Sequence, residues 1–154
     1  MKRTLWLALL LWSVIPCAAQ TPASPHVMIT ANEMKWSDVP PMLPKGAKLS
    51  VLSGDPGKEG MFVVRLKMPA GYRVPPHWHP TDEHVTVIKG NLALGMGDKA
   101  DVKKAKALHM NGYALLPATM HHYAIAKEAT VVEIWGNGPF VINYVNPADD
   151  PSKK

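Results

Sequence analysis

The sequence contains one cysteine, Cys17, and it falls inside a stretch that reads as a cleavable leader, so the mature chain has none. Disulfides, thiolate metal ligands and a catalytic thiol are thereby excluded, and the fold must rest on its core. Long apolar runs are equally scarce: residues 5–15 form the only one, and it is too short to span a bilayer. There is little helical periodicity, with residues 101–108 alone expected to hold a helical turn. Repeats, low-complexity tracts and a second domain boundary are absent. Charged residues make up only 19% against 47% hydrophobic, a balance that argues for a packed domain and against disorder. What the 154 residues do have is turn formers, 15 prolines and 11 glycines spread along the chain. That distribution favours many short strands over long helices.

Lys2 and Arg3 precede the apolar run, and the small residues Cys17-Ala18-Ala19 follow it. This is the pattern of a secretory signal peptide cut after Ala19, and it predicts a periplasmic or secreted protein. Lipidation at Cys17 fits less well, because Pro16 stands directly before it. Without the leader the chain is 135 residues long, enough for one domain, and its formal charge falls from +5 to +3. Lys103, Lys104, Lys106, Lys153 and Lys154 lie in an expected loop and in the tail. They read as a solvated face, so no nucleic-acid partner is expected, nor any stable membrane insertion after cleavage.

Strand-like runs recur at residues 27–30, 48–52, 61–68, 84–88, 92–96, 113–116, 122–126, 130–135 and 140–145. Turn signals such as Gly54-Asp55-Pro56-Gly57, Lys89-Gly90-Asn91 and Gly136-Asn137-Gly138-Pro139 punctuate them. Short strands at this spacing indicate an all-β, antiparallel sandwich or barrel.

Five of the seven histidines sit in two short segments. Alternate residues of a strand share a face, so His77 and His79 can aim two imidazoles at one point while Trp78 faces away. Glu83 follows a Pro80-Thr81-Asp82 turn that can return its carboxylate over that face. A fourth ligand is expected from His121-His122, of which strand parity allows only one to point inward. Imidazoles with a carboxylate and no sulfur suit one divalent transition metal: Fe, Mn, Zn, Ni or Cu.

The other candidates have plainer readings. His26 and His109 are expected to be surface or satisfied core residues, and His84 and the outward one of the His121-His122 pair to face away from the metal, where each could still orient a ligand by hydrogen bonding. Met96, Met110 and Met120 are expected as core filler. Tyr72, Tyr123 and Trp135 should pack or line the barrel mouth. Glu133 shares parity with Val131 and Trp135. If that face is interior, Glu133 is a buried carboxylate and an acid–base candidate.

Residues 71–90, GYRVPPHWHPTDEHVTVIKG, resemble the first motif of the cupin superfamily: Gly71, His77, His79, Glu83 and Gly90 fill its fixed positions at matching spacing. Gly112, Pro117 and His122 resemble the second motif more loosely. There four residues rather than five separate Gly112 from Pro117, Thr119 replaces a glycine, and Ala126 stands where an asparagine is expected. The resemblance implies a jelly-roll (double-stranded β-helix) barrel over 45–146, preceded by an extension and lead-in strand at 20–44 and followed by a tail at 147–154. It makes His122 the fourth metal ligand beside His77, His79 and Glu83, and it is closest to the small single-domain bacterial cupins. It further implies a homodimer that pairs or exchanges N-terminal strands such as 27–30.

Two functions follow. One is a metal-dependent enzyme acting on a small organic molecule. With Fe, Mn or Cu it would be of dioxygenase type, and with Zn or Ni a Lewis-acid isomerase, lyase or hydrolase, with Glu83, Glu133 or Tyr123 as base. The other is a non-catalytic periplasmic protein that binds a metal or small ligand through the same four residues. A sensor role is less attractive, because no signalling segment is evident to carry an output.

Overall fold

The computed structural model describes residues 26–154, so the leader, Cys17 and the cleavage point after Ala19 lie outside the described residues. The strands run in the order β1 (Ser37–Asp38), β2 (Lys48–Ser53), β3 (Gly60–Met68), β4 (Arg73–Trp78), β5 (Glu83–Lys89) and β6 (Asn91–Met96), then β7 (Lys106–His109), β8 (Tyr113–Leu116), β9 (His122–Ala126), β10 (Thr130–Gly138) and β11 (Asn143–Tyr144). Two short 3-10 turns, Pro147–Asp149 and Pro151–Lys153, follow. The strands form two sheets, ordered β1-β2-β3-β10-β5-β8 and β11-β4-β9-β6-β7, paired antiparallel throughout. This is the jelly roll expected from the sequence.

Period-two patterning places the core. On β3, Phe62, Val64, Leu66 and Met68 are buried in alternation, and on β5 Glu83, Val85 and Val87 do the same. With Val74, Leu92, Leu116 and Val132 they fill the space between the sheets. Each fully buried Val or Leu contributes about 1.5–3 kcal/mol relative to exposure, which lets a domain of this size hold without cross-links. Gly90, which ends β5, has φ +87°, and a Cβ there would lie 2.6 Å from the Ala129 carbonyl oxygen. The turn into β6 therefore needs glycine on two counts.

Several expectations are corrected. Residues 27–30 form no strand, and the lead-in pairing is made instead by Ser37–Asp38 against Lys48 and Leu49. Only one turn forms in 101–108, closed by Ala105 N–H donating to the Asp101 carbonyl, before the chain enters β7. That strand escapes sequence reading because it is a sheet edge whose one buried residue is Leu108. Met96, Met110 and Met120 are exposed and do not fill the core. Among the described residues no helix is long and apolar enough to cross a membrane.

Candidate metal centre

The site begins with two prolines. Pro75 and Pro76 lie in β4, where neither can donate to the ladder, and the pairing of β4 with β9 shifts register between Val74 and His77. Prolines within sheets are confined to edges and bulges, and this bulge accommodates both. It also resets the parity. Val74 pairs with Ala124 and His77 with His122, and although three apart, Val74 and His77 both face the interior. Without the extra residue His77 would point outward.

His79 follows one residue beyond β4, and alternation then holds: the rings of His77 and His79 lie edge to face at 5.0 Å. His122 opens β9, its ring centroid 4.2 Å from that of His77 and 5.3 Å from that of His79. The three residues are buried and offer ligand nitrogens within 4.8 Å of one another. Glu83 comes from the opposite sheet, at the start of β5. Its Oε2 lies 3.2 Å from His122 Nε2 and 3.4 Å from His79 Nε2.

The hydrogen bonds decide which nitrogens are free. His77 Nδ1 donates to the Pro75 carbonyl at 2.7 Å, His79 Nδ1 to the Val141 carbonyl at 2.8 Å, and His122 Nδ1 to the Met120 carbonyl at 2.9 Å. A carbonyl can only accept, so the proton of each neutral ring is held on Nδ1 and its Nε2 lone pair turns inward. Burial, and then the neighbouring His122 and His79 rings, push the His77 imidazole down to about 3, so this ring is neutral across the physiological range. His79 Nε2 is buried with no hydrogen-bond partner. Lone pairs therefore converge on a carboxylate with no proton obliged to lie between them. A cation is the group that satisfies such a set, and carbonyl-oriented imidazoles are how metal-ligating histidines are held.

The remaining walls are apolar. Leu43, Leu66, Val85, Leu116, Ile134 and Ile142 line a cavity of about 60 Å³ beside the four side chains. Phe140 stacks on His79 with centroids 4.1 Å apart and 17° between planes. Its neighbour Val141 supplies the carbonyl that orients His79. Sequence reasoning missed Phe140 and Leu43, since both arrive from segments remote from the histidines. The Pro75-Pro76 pair inside a strand was the one local signal of the bulge.

The second motif holds its geometry despite its substitutions. Thr119, in the place of a glycine, adopts φ +65°. Its N–H donates to the His79 carbonyl at 2.8 Å, and Ala118 N–H donates to Asp82 at 2.8 Å. The turn before His122 is thus tied to the loop that carries His79.

Other candidates do not reach the site. On β10, Val132 and Ile134 line the cavity, so Glu133 points outward, where it accepts from Arg65 Nε at 3.0 Å. Tyr123 is turned away from His122 by strand alternation, packs with Ala93 and Ile125, and donates to the Asp101 carbonyl at 2.7 Å. Neither occupies a catalytic position. His84 stacks on Trp135 at 3.5 Å on the outer face, and His121 pairs with Asp98 at 2.6 Å; neither touches a ligand. His109 is exposed, as is His26. Tyr72 and Trp135 pack.

Comparison with known proteins agrees with this architecture. No curated protein matches the sequence. Among solved structures, the chain resembles the polyketide cyclase RemF from Streptomyces resistomycificus at 15% identity and TM-score 0.67, covering 82% of this chain and 89% of that one. It resembles an acetylacetone dioxygenase from Acinetobacter johnsonii at 15% identity and TM-score 0.64, covering 88% and 87%. An RmlC-like cupin from Shewanella frigidimarina matches at 15% identity and TM-score 0.58, covering 74% and 91%. At these identities the likeness is one of fold. The model of the ChrR cupin-like domain matches residues 24–141, most of the sequence. With its jelly roll and its three converging histidines, this chain belongs to the ChrR cupin-like family of the cupin superfamily.

Proposed function

We propose that the chain holds one divalent transition metal through His77, His79, Glu83 and His122 and acts on a small organic molecule bound at that metal, as an enzyme of dioxygenase type. The observation that carries the metal is the set of three Nδ1–carbonyl bonds, which leaves three Nε2 lone pairs free, those of His79 and His122 within 3.4 Å of Glu83 Oε2. Fe, Mn or Cu in that place would supply a redox-active Lewis acid, and Zn or Ni a Lewis acid alone. The chain's own part is to fix that donor set and to keep water out. A cavity of about 60 Å³ equals the liquid volume of about two waters, so it admits only a small group. Beyond the three histidines and Glu83 its walls offer side chains of hydrocarbon and thioether only. Such walls favour a compact compound whose polar atoms sit at one end, towards the ligands. Glu83 is the one carboxylate among the cavity's described lining residues, and released from the metal it would be the base for a bound compound.

Because acetylacetone names a structural relative, small diketones are the first compounds to assay, with phenols and thiols beside them. Oxygen uptake that follows Fe(II) loading and disappears in His79→Ala is the expected result. One tightly held metal per chain with no turnover on any of these compounds would favour the second reading, a non-catalytic binding protein. The burial of all four side chains, each 6% exposed or less, supports that alternative. Export through the leader belongs to the same proposal, and amino-terminal sequencing of the secreted protein should begin at Gln20.

A further inference from the structure

We propose that Leu43, carried on a strap of residues 40–44, sets the size limit for compounds bound at the metal centre. This inference rests on the metal reading above and adds the boundary of the ligand to it.

The strap follows the edge strand β1 of one sheet and is tied to β11 and to the residue preceding β4 of the other. Pro40, Pro41 and Pro44 restrict its backbone, and Leu43 N–H closes a turn on the Pro40 carbonyl at 2.9 Å. Two hydroxyls from the far sheet pin it. Tyr144 donates to the Met42 carbonyl at 2.7 Å, and Tyr72 donates to the Pro44 carbonyl. Burial pushes both phenols above their ordinary range, Tyr72 to about 12, so both remain donors at any physiological pH. Tyr144 pairs in register with His77, and its ring lies 6.1 Å from that imidazole. The strap is therefore referenced to the strand that carries a metal ligand.

Leu43 projects from this strap onto the core. It lines the interior cavity together with His77 and Glu83. It also lines a surface groove of about 580 Å³ between the strap and Pro151, Ser152 and Lys154. Among the described residues no other borders both spaces. A single side chain thus stands between the small cavity at the histidines and the larger groove at the surface. A compound that chelates the metal can extend only as far as Leu43, and trimming Leu43 joins cavity to groove.

The test uses cobalt-loaded full-length mature protein and hydroxamates, which bind metals through two oxygens and carry tails of chosen length. In the wild type, acetohydroxamate should perturb the visible cobalt absorption and octanohydroxamate should not. In Leu43→Ala, octanohydroxamate should bind at least about tenfold more tightly than in wild type, the discrimination a few methylenes allow. In Leu43→Phe, acetohydroxamate should weaken by a similar factor, so the inference stands or falls even if one variant folds poorly. Normal cobalt spectra with the same length preference in all three proteins would overturn the size limit and leave the metal centre standing. Absence of a cobalt spectrum in the wild type would overturn the metal reading itself, and the size limit with it.

Discussion

The two segments that supply the histidines meet at one point but are built differently. In 71–90 each fixed position carries the residue its backbone needs: Gly71 and Gly90 have φ +81° and +87°, and a bulge at Pro75-Pro76 turns His77 inward. In 112–126 the corresponding turn places a threonine at φ +65° and holds it by hydrogen bonds to the other segment. A β-branched residue in that region is strained, by about 1–3 kcal/mol for such positions in general. The first segment satisfies its geometry locally, whereas the second borrows it: Thr119 leans on the His79 carbonyl and Ala118 on Asp82. A ligand position can therefore be kept when its local motif is eroded, provided a neighbouring segment fixes the turn.

The largest expected effects break the equality of the two segments as ligand donors. His79→Ala and His122→Ala should each weaken metal binding by more than about a hundredfold in competition with a chromogenic chelator, exceeding what orienting residues contribute. Matched losses would show that the borrowed geometry delivers as good a ligand as the local one. Next in size is Gly90→Ala, which should cost about 2–3 kcal/mol in chemical denaturation, since it meets both the left-handed backbone and the Ala129 oxygen. Thr119→Gly, the converse change in the other segment, should stabilise by up to about 1 kcal/mol, because relieved strain is offset by a more flexible unfolded chain. If Thr119→Gly destabilises, the hydroxyl or methyl has a role the hydrogen bonds do not reveal. His121→Ala should leave metal affinity unchanged, and a loss equal to that of His122→Ala would reverse the fourth-ligand assignment.

Much of this was legible from residue order. Short strand-like runs between well-marked turns placed β2, β3, β5, β6, β8, β9 and β10, and in β3 and β5 the buried residues recur at every second position. The same alternation separated Glu83 from His84 and allowed only one of His121 and His122 to point inward, and the resemblance to the second cupin motif selected His122. Alternation could not say which face of β10 was inner. Glu133 is flanked by apolar neighbours on either parity, and only packing of Val132 and Ile134 against β3 and β5 settles the matter. Tyr123 could have packed or lined the barrel mouth by its sequence, and it packs, filling the space a side chain on Gly95 would need. The strap, Phe140 and the three orienting carbonyls are tertiary facts. A backbone oxygen has no letter in the sequence, and a leucine 34 residues before His77 carries no mark of where it will pack.

The claim on which the rest depends is that His77, His79, Glu83 and His122 form one mononuclear metal site. Metal analysis with X-ray absorption spectroscopy of the loaded protein tests it most directly. The expected result is one metal per chain in a shell of nitrogen and oxygen ligands at about 2.0–2.2 Å, with imidazole scattering and no sulfur, lost in His79→Ala. A substoichiometric metal, or a full complement that survives His79→Ala with its spectrum unchanged, would contradict the account.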